Sequence, residues 1–249
     1  MKVLFSCSEA KNTENNFDFL NIDSLSFQEG YHKRIEILSK YQSIINEYNN
    51  EKLKSIFGVS KESLVNLYKD INIFKDGTNI AIERYAGVAY KHLDYNSLDI
   101  NARNFINKNV VIFSNLFGVL LAEDKIPFYK LKQNVKLDGL SVGNFYKQHF
   151  QTYLDDYFGD DLIVDLRANS YDNFYDVSDK YHVKIKFLKN GKIISHYSKA
   201  YRGKFLRAMS QKEKLKDIHH FFNMPIENMR YVDMSDAGKQ TTITYEYYE

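Results

Sequence analysis

The chain has one cysteine, Cys7, in 249 residues. No disulfide can form within it, which suits a reducing compartment. With 2 prolines and 11 glycines, long flexible linkers are not expected. No run of about 18 apolar residues appears, so no membrane span is predicted. The opening MKVLFSCSEAK turns polar too soon for a secretory signal. Together these absences predict a cytoplasmic protein. Also missing are H-E-x-x-H, C-x-x-C, a Walker loop and G-x-G-x-x-G. No metal site, cofactor or catalytic group is therefore assigned.

Hydrophobic residues make up 44% and charged residues 27%, ordinary values for a folded protein. There are 20 Tyr and 18 Phe but no Trp. Most of these rings are expected in the core and at its rim, while tyrosines on a basic surface could stack on bases. The net charge is only +2, but its distribution is uneven. Residues 180–216 hold twelve Lys/Arg and one acid, Glu213, a local net of +11. Residues 155–179 hold eight Asp and one Arg, a local net of −7. Either one sign-segregated surface steers anions, or the two runs neighbour each other and neutralise.

The pattern predicts a short buried strand at 1–6, loop to about Gly30, and a helix over 31–50 with Ile35, Leu38, Ile44, Ile45 and Tyr48 inward. Helical or turn-like segments follow at 83–95, broken at Gly87, and at 101–107. VVIFS begins a strand in 109–121 that passes Gly118 into a helix or turn. Residues 126–132 are extended, 143–158 helical, and 161–167 a buried strand. Asn190-Gly191 marks a hairpin across 181–198. Helices at 199–209 and 211–222 and strands near 229–233 and 241–248 complete the chain. The predicted class is α+β, a single domain over 1–249 with a mixed sheet surrounded by helices.

Residues 52–71 have the pattern of a helix-hairpin-helix, with Gly58 in the hairpin, Ser60 capping the second helix and Leu64, Leu67 and Tyr68 inward. Ser63 stands where a full capping box has Glu. Backbone N–H groups at such a helix start, with Lys61 beside them, can meet a DNA phosphate. The alternative is an ordinary helical hairpin turning at a glycine. In His196 to Arg207, Tyr201, Phe205 and Ala208 form an apolar stripe, with Lys199, Gly203 and Arg207 opposite and Arg202 beside them. Gly203 would let something approach its backbone closely. Polar groups fall at strand ends, where open sheets gather ligand contacts. Lys11, Arg84, Lys130, Arg167, Lys199, Arg202 and Arg207 are accordingly the candidates for one basic cleft. Asp217, His219 and His220 have a spacing that suits metal ligation; a solvated helix end is the alternative. Cys7 is either a thiol activated by Lys11 or a buried structural one. Asp165 and Arg167 are either a catalytic or an internal ion pair.

Six segments resemble, in order, those of the YaaA peroxide-stress protein family. Ser6-Cys7-Ser8-Glu9-Ala10-Lys11 resembles its S-P-[SA]-x-x-K start, and Arg84 to Tyr90 its R-Y-x-G-x-x-Y segment. Ser114 to Gly118 resembles S-x-L-[WYF]-G, and Ile126 to Leu131 resembles P-Y-R-L. Asp165 to Tyr171 resembles D-L-R-S-x-x-Y, and His196 to Arg207 the block with K-x-x-[RK]-G. Cys7 replaces the family's usual proline and Lys130 its usual arginine, which loses the planar fork. The resemblance implies a cytoplasmic protein of the oxidative stress response that limits iron and peroxide damage. It also implies non-sequence-specific binding of duplex or branched DNA, through Gly58, Ser60 and Lys61 and a basic cleft. An enzyme acting on a nucleobase or other small anion in that cleft is the alternative.

Overall fold

The computed structural model describes residues 1–193, 198–212, 215 and 217–248. β1 (Lys2–Ser6) and β2 (Phe17–Phe19) lead to α1 (Tyr31–Glu47), α2 (Asn50–Phe57) and α3 (Glu62–Lys69). Next come β3 (Gly77–Ile80), α4 (Ala81–Arg84), α5 (Val88–Leu93) and α6 (Ile100–Asn109). β4 (Val110–Ser114), β5 (Gly118–Leu121), β6 (Lys125–Pro127), β7 (Lys136–Leu137) and β8 (Leu140–Ser141) precede α7 (Val142–Phe158). β9 (Ile163–Asp165) runs into a 3-10 turn, Asn169–Phe174. β10 (His182–Lys189), β11 (Lys192–Ile193) and α8 (Ser198–Ser210) follow. A second 3-10 turn, Ile218–Phe221, then leads to β12 (Met229–Ala237) and β13 (Gln240–Tyr247).

The main sheet is mixed, in the order β12-β13-β10-β9-β1-β4-β5, with β11 paired to β10. β1 lies parallel to β4 on one side and to β9 on the other. β10 continues parallel to β9 and to β13. The C-terminal ends of these strands therefore share one edge, and the chain diverges to either side of β1, where an open sheet forms its crevice. All five residues of β4 are buried, as in a strand covered on both faces. The largest wholly buried side chains include six tyrosines, Tyr41 and Tyr245 among them, so much of the aromatic content is core.

The α+β expectation holds, and most elements lie where the pattern places them. Asn190 and Gly191 both have positive φ, 52° and 70°, the two-residue hairpin turn that Asn-Gly favours. Four local expectations are corrected. Gly118 opens the antiparallel strand β5, not a helix. The stretch before Gly30 contributes β2, which pairs with β3. Over 211–222 the described residues form a helix only at Ile218–Phe221. Of the inward positions of α3, Val65 is the buried one, whereas Leu67 is 61% exposed. The expected end of the hairpin and His196 lie in 194–197, outside the described residues.

Helix α8 buries Tyr201, Phe205 and Ala208 as its apolar stripe. The opposite face is not bare. A Cβ at Gly203 would lie 2.0 Å from the Ala89 carbonyl oxygen, so the close approach that this glycine permits is that of α5. Arg207 donates to the carbonyls of Leu93 and Asp94 at 2.8 and 3.0 Å, closing the C-terminal end of α5. The contact predicts that Gly203→Ala destabilises the protein by about 2 kcal/mol despite alanine's better helix propensity, because backbone must move. Urea midpoints of the two proteins, at unchanged slope, measure this.

Candidate functional site

A cleft of about 400 Å3 opens at the C-terminal end of β1. Its floor is the segment Phe5 to Ala10 and its sides come from four places. Gly87 to Tyr90, at the start of α5, form one side. Leu166, Ala168 and Tyr171 follow β9, and Lys199 and Arg202 project from α8. Gln133 closes the remaining side. The volume falls in the range of small-ligand sites.

Local bonds fix these walls. Ser6 Oγ accepts from the Ala168 N–H at 2.9 Å, tying the end of β1 to that of β9. Tyr90 donates to the Ser6 carbonyl at 2.9 Å, and the Ser8 hydroxyl to the Ala10 carbonyl at 2.9 Å. Gly87 sits so close to Ser8 that a Cβ would lie 2.2 Å from its Oγ. Beneath the floor Tyr129 Oη lies 3.0 Å from both Tyr85 Oη and Ser114 Oγ and donates to Asn115 Oδ1 at 3.0 Å. Cys7 Sγ is 3.1 Å from Tyr171 Oη. Burial pushes the Cys7 thiol up, although Lys11 opposes this, so Cys7 is a packed neutral thiol and not an activated one.

The seven expected cleft cations separate into groups. Lys199 and Arg202 line the cleft. Burial lowers the Arg202 pKa, with Asp165 and Asp172 opposing. Lys11 stands behind the floor, half-buried, its ammonium donating to the Ser8 carbonyl at 2.9 Å and lying 3.8 Å from the Tyr129 ring centre. Lys130 reaches Glu9, a cleft residue, at 3.9 Å. The other three are placed elsewhere. Arg84 is wholly buried and donates to the carbonyls of Ile126 and Asn12 and to Asn15 Oδ1. Arg167 is locked in a bidentate pair with Asp165, 2.9 and 3.0 Å, so this is an internal ion pair. Arg207 holds the end of α5.

Helices α2 and α3 meet through Gly58, which takes a left-handed conformation, φ 66°. The chemistry of a helix-hairpin-helix is not shown. Lys61, not Ser60, occupies the cap position of α3, without a side-chain cap bond. Glu62 stands in the first turn and pairs with Lys54 at 3.2 Å, putting an acid where a phosphate would be received. Gly58 instead packs on Lys132, whose side chain lies 3.0 Å from where a Cβ would be.

Asp217 caps the Ile218–Phe221 turn: its Oδ1 accepts from the His219 N–H at 2.9 Å and lies 3.1 Å from His220 Nδ1. Among the described residues no group of three or more His, Cys, Asp or Glu is placed to hold a metal ion, so the Asp217, His219 and His220 spacing does not become a site. Gln133 and Asn115 were not among the expected residues. Asn115 is signalled only by its polarity in the apolar run Phe113 to Phe117, and Gln133, between Lys132 and Asn134, has no such signal.

A mixed α/β sheet with a cation-lined cleft at its strand switch defines the class of protein. The chain belongs to the YaaA peroxide-stress family: a family profile described as peroxide stress protein YaaA matches residues 1–234. It is 38% identical to an uncharacterized protein of Campylobacter jejuni over 247 residues, 99% of each chain. It is 30% identical to a UPF0246 protein of Fusobacterium nucleatum, covering 88% of this chain and 89% of the relative. A UPF0246 protein of Malacoplasma penetrans shares 29% identity over 88% and 91% of the two chains.

Burial lowers the Lys11 pKa to about 7, with Lys130 and Arg84 acting in the same direction and Cys7 and Glu9 against it. Between this value and the ordinary lysine pKa of about 10.4 the unfolded chain binds more protons. Stability attributable to Lys11 should therefore rise with pH from about 7 to about 10 and be flat below. Urea unfolding at pH 7 and pH 9 should show a gain in the parent protein that is smaller in Lys11→Met. For Asp165→Asn, which leaves Arg167 buried without its counterion, a loss of about 3–5 kcal/mol is expected, read by the same unfolding measurement.

Proposed function

We propose that the protein acts in the peroxide stress response of the cytoplasm by binding DNA without sequence specificity, and that the cleft receives one nucleotide unit. The observation that carries this reading is the pairing of Lys199 and Arg202 on α8 at a cleft of about 400 Å3. Arginine supplies a planar donor fork and lysine a point charge, a combination suited to a phosphate oxyanion. Phe5, Tyr90 and Tyr171 also border this space, which gives it an apolar part suited to more than a bare ion. Such contacts grip a backbone and leave its sequence unread.

The α2–α3 pair supports this reading indirectly. Gly58 rests on Lys132, and the Lys132 N–H donates to the Ile56 carbonyl at 2.8 Å. Lys132 neighbours Gln133, a cleft residue. Exposed Ser60 and Lys61 would thus extend a DNA track from the cleft across the helical pair. With Glu62 beside them they form its weaker part. Duplexes with a frayed, branched or flipped position should bind best, since the cleft takes a unit out of the stack.

One observation favours a second reading, an enzyme acting on a nucleobase or other small anion. Lys11, with its pKa lowered to about 7, would be largely neutral just above that pH and could serve as base or nucleophile. Turnover in a nucleotide and metabolite screen, rising through pH 7 and lost in Lys11→Met, is the expected result. No turnover and no bound small molecule would end this second reading.

For the first reading, the double variant Lys199→Ala, Arg202→Ala should bind a branched DNA at least tenfold more weakly at moderate salt. Its dependence of log K on log salt should flatten by about 1, for the one phosphate that the pair neutralises. Equal affinity and slope in fluorescence anisotropy across a salt series would exclude the cleft as the DNA contact.

A further inference from the structure

A second cavity, about 370 Å3, opens on the far side of α8 from the cleft. α8 lends Lys199 and Arg202 to the cleft and Ala200, Tyr201 and Lys204 to this cavity. At about 100° per residue these two sets point to opposite sides of the helix. Helix α5 is shared in the same way, with Gly87 to Tyr90 on the cleft and His92 on the cavity. Lys189, Tyr247, Glu227 and Asn228 complete the walls. Lys189 ends β10, and Tyr247 lies beside it at the end of the parallel strand β13. The cavity therefore opens at the same C-terminal edge of the sheet as the cleft, with one helix between them.

Its walls have the charge of an anion site. They carry the ammonium groups of Lys189 and Lys204 and the imidazole of His92, against one carboxylate, that of Glu227. Both lysines are half-buried. Their ammonium groups lie at aromatic rings, Lys189 Nζ 4.5 Å from the Tyr247 centre and Lys204 Nζ 5.7 Å from the Tyr201 centre. The rings hold these charges in place, and partial burial leaves them less screened than charges on an open surface. Lys204 also pairs with Glu227, whose side chain is 72% exposed against 24% for the lysine. A mobile surface acid thus meets a half-buried cation, in the position that a phosphate oxygen would take.

We infer that this cavity holds a second phosphate of the same strand, so that the ligand is an unpaired strand crossing α8, with one phosphate at Lys199 and Arg202 and another at Lys189 and Lys204. This rests on the nucleotide reading of the cleft and adds the length and the pairing state of the ligand. The two sites stand about one helix diameter apart, about 10–12 Å with side chains. A duplex carries its phosphates on a stiff rod and cannot lower two of them into separate concavities with a helix between. An unpaired strand can bend over the helix, and a basic groove that tracks the backbone binds such strands without regard to sequence. Glu227 occupies Lys204 until the strand arrives, so its carboxylate competes with the second phosphate.

Titration calorimetry of the full chain with thymidine 5′-monophosphate and with oligothymidylates of about two to six nucleotides tests this. Affinity should rise at least about tenfold from the mononucleotide to an oligomer long enough to cross α8, and a duplex of that length should bind more weakly than the single strand. Lys189→Ala, Lys204→Ala should bring the oligomer down to about the affinity of the mononucleotide and leave the mononucleotide unchanged. Glu227→Gln, which releases Lys204, should tighten the oligomer about threefold, a gain that loss of structure would not produce. A gain with length that persists in the folded double variant overturns the inference. So does a Glu227→Gln protein that binds the oligomer no better than the parent. Mononucleotide binding with no gain from length overturns this inference alone and leaves the cleft reading standing, whereas binding of neither ends both.

Discussion

The buried pair of Asp165 and Arg167 organises the functional end of the sheet. Both side chains are nearly free of solvent, 2% and 1% exposed. Burial pushes the Asp165 carboxyl up, but the guanidinium and hydrogen bonds of Arg167, with Lys184, outweigh it and hold the group below its usual range. Arg167 then uses its remaining Nη1 donors on the carbonyls of Tyr171 at 3.2 Å and Tyr175 at 3.0 Å. Its plane lies 4.8 Å from the centre of the Phe113 ring. One guanidinium thereby joins the end of β9 to both ends of the turn Asn169–Phe174. That turn carries Tyr171 to the wall of the cleft. A buried ion pair does not stabilise a fold cheaply; here it joins the buried Tyr171 and Phe174 in fixing the position of that turn.

Elements with strong periodicity were legible. VVIFS could only be a buried strand, α7 announces itself by Phe145, Phe150, Leu154 and Phe158, and Asn190-Gly191 fixes its turn by positive φ. The switch at β1 was not legible, because which strand lies beside which depends on non-local pairing. Gly118 shows the limit of local rules: its φ of 76° marks a tight turn, but only the pairing of Ser114 with Gly118 makes it a hairpin between β4 and β5. The cap of α3 shows another. Ser60 has the right chemistry, and the helix nevertheless starts one residue later than a Ser60 cap would place it, with Lys61 at the cap. The segments after β1 and β9 border one cleft with α8, a meeting that no local pattern in the sequence encodes.

The basic cleft was overcounted in the sequence for a chemical reason. A tally of Lys and Arg treats each as surface charge, yet an arginine has five donors in a rigid fork, which suits it to backbone carbonyls at irregular turns. Arg84 fastens the segment after Lys11 in this way, and Arg207 the end of α5. Arg34, wholly buried, donates to the carbonyls of Phe117, Val119 and Ser26. These three fasten backbone carbonyls at turns and at a helix end. Lysines, with one strongly hydrated charge, are mostly left at the rims. The local net of +11 therefore translates into fewer ligand-facing groups than its size suggests, and Lys199 and Arg202 are selected by position and not by density of charge.

Enclosure strengthens the effect of Arg202, which is half-buried, whereas Lys199 is exposed like Lys61. Charges on an open helix surface such as Lys61 are screened over a Debye length of about 8 Å at physiological salt, whereas partly buried ones are screened much less. An anion at Lys199 and Arg202 would sit between the chain ends of β1 and β9, with aromatic and aliphatic walls around it. Behind the floor of this cleft, burial lowers the Lys11 pKa to about 7. A phosphate arriving there would favour the charged form of Lys11, and protonated Lys11 would favour the phosphate. Binding of such an anion and protonation of Lys11 would then be linked.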